Sequence, residues 1–100
     1  MLPYEEAIER FKEALEKLPN NPEIWCSWGV ALVELERFEE AIEKFNEAVK
    51  HKPDFAAAWY GCGLALMGLG RKQEATEKFR KAIEIDPSLV RESSDPECLV

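Results

Sequence analysis

The chain has 100 residues, of which 33% are charged and 46% hydrophobic, an ordinary composition for a folded soluble domain and not that of a disordered chain. Its net charge of −7 repels phosphate backbones and anionic membrane surfaces, so neither nucleic acid nor a membrane is expected as partner. No apolar run is long enough to span a bilayer, and Met1-Leu2-Pro3-Tyr4-Glu5-Glu6 is too acidic for a signal peptide, so a cytoplasmic location is expected.

In chain order, the first element is a helix near 4–18. Its apolar residues Ala7, Ile8, Phe11, Ala14 and Leu15 keep the helical period, not the alternation of a strand. A second helix is predicted near 22–35, with Asn21 as N-cap and Pro22 in the first turn. The third, near 38–51, repeats the first pattern as Ala41, Ile42, Phe45, Ala48 and Val49. A fourth follows near 56–69, with Asp54 expected as its cap, and a fifth near 72–85. Pro53 and Pro87 end the third and fifth helices and turn the chain. Glu6–Arg10, Glu13–Lys17, Glu40–Lys44, Glu74–Lys78 and Glu77–Lys81 have the spacing of solvated ion pairs on outer helix faces.

Shifting the chain by 34 residues superimposes it on itself. Trp25 meets Trp59, Gly29 meets Gly63, Ala31 meets Ala65 and Leu32 meets Leu66. Further along, Leu35, Arg37, Glu40, Ala41, Glu43, Lys44, Phe45, Ala48 and Pro53 fall on identical residues at 69, 71, 74, 75, 77, 78, 79, 82 and 87. Ala7, Phe11, Ala14 and Pro19 recur at both later copies. Residues 1–21 are therefore the second half of a unit, and 22–55 and 56–89 are full units of two helices each. Residues 90–100 form a non-repeat tail, expected to be flexible or extended because Ser93 stands where the tryptophan is due and Asp95-Pro96 opposes a helix. The mid-helix glycines Gly29 and Gly63 imply a closely approaching neighbour, with Ala41 and Ala75 expected as its small surface.

Three cysteines, Cys26, Cys62 and Cys98, are an odd and widely spaced set, which supports neither a disulfide framework nor a metal site. The single histidine, His51, falls in a last helical turn, where a solvated residue favoured by the helix dipole is expected. No nucleophile, base and orienting group occur together, so no catalytic residue and no cofactor is predicted.

The pattern resembles the tetratricopeptide repeat (TPR) family, whose motif runs Trp-x2-Leu-Gly-x2-Tyr, Ala-x3-Phe-x2-Ala and Pro. Here it stands as Trp25-x2-Trp28-Gly29-x2-Leu32, Ala41-x3-Phe45-x2-Ala48 and Pro53. It recurs as Trp59-x2-Cys62-Gly63-x2-Leu66, Ala75-x3-Phe79-x2-Ala82 and Pro87. The family's loop glycine is Gly70 in the last unit but Glu36 in the one before. The resemblance implies an all-α fold, a right-handed superhelix of antiparallel helix pairs with five helices in two and a half units. It places the three tryptophans at packing positions, in the core. It also implies a concave groove lined by the first helix of each unit. The groove positions are Glu23, Cys26, Ser27, Val30, Val33 and Glu34, then Ala57, Tyr60, Gly61, Leu64, Met67 and Gly68. Chaperone-binding members clamp a carboxylate with lysine, arginine and asparagine there; this chain has Cys26, Val30, Tyr60 and Leu64, and no clamp is expected.

The remaining stripe is apolar: Cys26, Val30, Val33, Tyr60, Leu64 and Met67. It is expected to be an interface, covered either by a neighbouring helix or second copy, or by an amphipathic segment of another protein. The leading functional expectation is a non-enzymatic scaffold or adaptor that binds a protein or peptide. Self-assembly as a homo-oligomer, or a non-catalytic appendage of a larger protein, is the alternative.

Overall fold

A computed structural model describes residues 3–89. They form five α-helices: α1 (Pro3–Lys17), α2 (Pro22–Glu34), α3 (Phe38–His51), α4 (Ala56–Gly68) and α5 (Lys72–Ile85). The expected tail, 90–100, lies outside the described residues. Consecutive helices pack on one another, and α2 also packs beside α4, so the helix pairs stack into an α-solenoid.

The core is made of small residues. Ala31, Ala41, Ala48, Ala58, Ala65, Ala75 and Ala82 are buried, and among the described residues the only large side chains fully enclosed are Phe45 and Leu32. Alanine costs no side-chain entropy in a helix and lets backbones come close. The Phe45 ring uses that closeness. A Cβ added at Gly29 of α2 would lie 2.7 Å from Phe45 Cε1, and one added at Gly61 of α4 would be nearer still. Both glycines are therefore required by the ring between them. The neighbour expected at Gly29 and Gly63 was alanine; it is Phe45 at the first and Phe79, 2.5 Å from the added Cβ, at the second. Ala41 and Ala75 are fully buried, but the nearest atoms to both glycines belong to phenylalanine rings.

Asn21 caps α2 as expected, its Oδ1 accepting from the backbone N–H of Glu23 (2.9 Å) and Ile24 (3.3 Å). Asp54 does not cap α4. The cap position is Phe55, which makes no side-chain cap bond, and the 34-residue shift from Asn21 leads to Phe55. The turns after α2 and α4 share one geometry. Glu36 N–H donates to Val33 O and Arg37 N–H to Leu32 O; Gly70 and Arg71 donate equivalently to Met67 and Leu66. This closure needs a left-handed residue after the helix. Gly70 has φ 78° and Glu36 has φ 59°.

The tryptophans are half-buried, with Trp25 and Trp28 packed against the core. Trp25 Nε1–H donates to Pro19 O at 3.0 Å, and Trp59 Nε1–H to Pro53 O at 2.8 Å, so each unit's tryptophan fastens the proline turn before it. The ion pairs also differ from expectation. Arg37 makes two 2.8 Å bonds to Glu40, and Arg71 does the same to Glu74. On α1 the pair is Lys12–Glu9 at 3.1 Å. The lysines expected on the acids lie over indoles instead: Lys44 Nζ is 4.2 Å from the Trp28 ring centre, and Lys78 and Lys81 are 5.2 and 5.9 Å from Trp59.

Two stability predictions follow from these contacts. Glu36→Gly removes a side chain from a left-handed backbone position and raises the urea midpoint, by about 1 kcal/mol of stability, with unchanged slope. Gly61→Ala forces a methyl group into the Phe45 ring and destabilises by about 1–3 kcal/mol. The smaller Phe45→Leu side chain recovers part of that loss in a double-mutant cycle read by chemical denaturation.

Candidate functional site

The outward residues of α2 and α4 form the candidate interaction face. The two helices lie side by side, and Val30 and Leu64 occupy the same register in successive units. Val30, Tyr60, Leu64 and Met67 are large apolar side chains held 37–47% exposed. Glu23, Ser27, Glu34, Ala57 and Gly68 are also exposed, and Val33 is half-buried. Gly61 is buried beneath Phe45 and offers no surface. The Tyr60 ring leans on Phe79 of α5 at 5.2 Å between centres, which fixes its position.

Cys26 departs from the stripe: it is only 7% exposed and belongs to the core. Burial pushes its thiol up from the ordinary 9.0 to about 11. Cys62 is also buried, and burial raises its pKa although Lys78 and Arg71 pull the other way. Neither microenvironment favours a thiolate.

The face runs into a cleft of about 450 Å³ between α1 and α2. Tyr4, Ala7 and Phe11 line it from α1; Cys26, Ser27 and Val30 line it from α2; Phe55 lies at one side. The groove positions expected from the sequence do not include Tyr4, Ala7 and Phe11. The register held the clue, since Ser27 and Glu34 replace the glycines found at Gly61 and Gly68. The backbone of α4 comes close enough at those glycines for an added Cβ to strike Phe45 and Phe38. Serine and glutamate carry side chains where those glycines have none, and Tyr4 stays 42% exposed.

A tetratricopeptide repeat profile matches residues 26–90, and a TPR repeat profile matches residues 4–35. The chain belongs to the tetratricopeptide repeat family. Its fold is similar to the first TPR domain of the human RPAP3 protein, with 26% identity and a TM-score of 0.82, covering 84% of this chain and 66% of that one. MamA AMB-1 is 32% identical with a TM-score of 0.78, over 85% of this chain and 50% of the other. The first TPR of Spaghetti (RPAP3), solved bound to the HSP90 peptide SRMEEVD, is 26% identical with a TM-score of 0.81, over 84% and 67%. The TPR chain thus spans about two thirds of the RPAP3 domains and half of the MamA chain. No curated protein sequence matches it. Among the described residues no helix is long and apolar enough to cross a membrane, and no group of three or more His, Cys, Asp or Glu is placed to hold a metal ion.

The thiols give a pH prediction. In the folded state Cys26 keeps its proton to higher pH than in the unfolded chain. Its contribution to stability is complete below pH 9 and is lost as pH rises through about 11. Native protein at pH 8 reacts slowly with iodoacetamide at Cys26, and urea-unfolded protein reacts at the rate of a free thiol; mass spectrometry of the labelled peptide measures both.

Proposed function

We propose that this TPR chain is a non-catalytic scaffold or adaptor module whose α2–α4 face is a groove for a peptide or amphipathic helix of another protein. The observation that carries the reading is the row of four exposed apolar side chains, Val30, Tyr60, Leu64 and Met67, on two helices held in register. Exposed apolar rows on a rigid scaffold gain free energy when a partner covers them. The HSP90-peptide complex of the RPAP3 relative supports the use of this fold for peptide capture.

The chemistry of the ligand differs from that peptide's. SRMEEVD carries three acidic residues. The charged residues among the groove positions here are Glu23 and Glu34, both acidic, and no lysine or arginine stands with them. The groove reading therefore favours an apolar or net-basic segment over an acidic one.

Tyr60→Glu and Leu64→Glu place a charge in the middle of the apolar row without entering the core. Each is expected to weaken partner capture at least tenfold in a quantitative pull-down; Leu64→Glu leaves the melting temperature nearly unchanged, and Tyr60→Glu lowers it modestly by losing the contact with Phe79. Retention of the partner by both variants would sink the groove reading. Self-assembly, the second use of the same face, predicts that light scattering gives a dimer or larger species that the two variants dissolve.

A further inference from the structure

The α2–α4 face carries its charges at its two ends. On α2 the residues Glu23, Ser27, Val30 and Glu34 are all exposed. From Glu23 to Glu34 is three turns of helix, so the two carboxylates lie on one side of α2, about 16 Å apart along its axis. Neither makes an ion pair among the described residues, whereas Glu9, Glu40 and Glu74 are held by Lys12, Arg37 and Arg71. Between the two acids lie the exposed apolar side chains: Val30 on α2, and Tyr60, Leu64 and Met67 on α4, the last three at helical spacing. α4 itself contains no charged residue. The face is an apolar strip with an unpaired acid at each end.

Such a strip has little to offer an extended backbone. Of the exposed groove side chains only those of Ser27 and Tyr60 are neutral and able to hydrogen-bond. A peptide strand laid there would bury N–H and C=O groups without partners, a cost that a helix, bonded within itself, escapes. We infer that the occupant is an amphipathic α-helix of a partner protein with a lysine or arginine at each end of its apolar side, one to meet Glu23 and the other Glu34. A helix laid along α2 rises at the same rate per residue, so its two bases stand about 11 residues apart; in an extended chain they would stand about five apart. The inference rests on the groove reading above and adds its register. A second copy of this chain fits badly. None of its five helices has two lysines or arginines at that separation, and both copies carry −7.

The probe is a fluorescein-labelled 15-residue peptide with leucine at its fifth, sixth, ninth and tenth positions, lysine at its second and thirteenth, and alanine or glutamine elsewhere. A hydrocarbon staple on the outer side removes the ordering cost that a helix this short would meet in water. Fluorescence anisotropy with the full chain at low salt is expected to give saturable binding. Moving the second lysine to the eleventh position turns it to the outer side at constant net charge, and should weaken binding at least fivefold. High salt should erase most of that difference. Glu23→Gln and Glu34→Gln should each weaken the first peptide several-fold with little change in melting. A Glu23→Lys/Glu34→Lys protein should instead prefer the peptide with glutamate at its second and thirteenth positions. Glu34→Lys alone, which suits the C-terminal end of α2, gives the same swap with a peptide carrying one glutamate and one lysine, should the double variant lose stability.

Equal binding of the two lysine arrangements, or a charge swap that rescues nothing, overturns the inference; if Leu64→Glu still abolishes binding, the groove reading survives it. An unstapled peptide with proline at its eighth position cannot stay helical. Its binding as tightly as the stapled probe would overturn the helix in favour of an extended segment. A lysine preference that Leu64→Glu leaves untouched places the site elsewhere and removes both readings. A dimer of the chain alone that Leu64→Glu dissolves overturns the inference in favour of a second copy.

Discussion

The Phe45 ring, enclosed by one glycine on α2 and another on α4, ties two repeat units together at a single point. Most of the architecture depends on that enclosure. The ring belongs to the second helix of its unit, Gly29 to the first helix of the same unit and Gly61 to the first helix of the next. Intra-unit and inter-unit packing are therefore one contact. A glycine inside a helix costs about 1 kcal/mol against alanine. Burying a phenylalanine side chain contributes about 1.5–3 kcal/mol, so one enclosed ring can offset the two glycines that admit it. The surrounding alanines, all nearly inaccessible, keep the helices close enough for the ring to be gripped from both sides.

The same constraint explains where the molecule is open. α1 carries the ring, Phe11, but α2 has serine at position 27 where α4 has Gly61, and glutamate at 34 where α4 has Gly68. A cleft lies between α1 and α2, and Cys26 is part of its lining; burial raises the pKa of that thiol. At the other junction glycine seats Phe38 and Phe45, while Tyr60 is braced by Phe79. The exposed apolar row is thus carried on a closely packed backbone. A pre-formed face of this kind loses little conformational entropy when a partner settles on it.

Much of this was legible in the sequence because a repeat states each requirement more than once. Phe11, Phe45 and Phe79 at equal spacing, each followed by its alanine and proline, fix the helices to within a residue or two. What remained hidden depended on contacts between helices. Gly29 announces a close neighbour but does not name it, and an aromatic ring proved a better fit than the alanine that seemed sterically easier. Asp54 has the right chemistry for a cap, yet register decides, and register gives Phe55. Glu40–Lys44 and Glu74–Lys78 have ideal spacing along one helix. Arg37 and Arg71, at the helix starts, reach the acids first, while the lysines lie across the tryptophans of the preceding helix. Tyr4, Ala7 and Phe11 stood outside the expected groove positions, and they line a cleft with Ser27, which replaces the glycine found at Gly61.

Those lysines also bear on what the face can recognise. Lys44, Lys78 and Lys81 are directed to indole rings, and Arg37 and Arg71 are bound to Glu40 and Glu74. Five of the thirteen cations of the chain are thereby committed to neighbours outside the groove set. The groove positions themselves keep Glu23 and Glu34, on a chain that carries seven more acids than bases. Exposed charges act over about 8–10 Å at physiological salt, so an approaching segment senses the groove acids before the distant bases. The backbone resembles that of the RPAP3 domain that holds SRMEEVD, but the sign of the field over the equivalent helices is set by side chains that the fold leaves free to vary. Shared packing residues give the two proteins a common fold, while Glu23 and Glu34 put acidic charge on the face proposed here for docking.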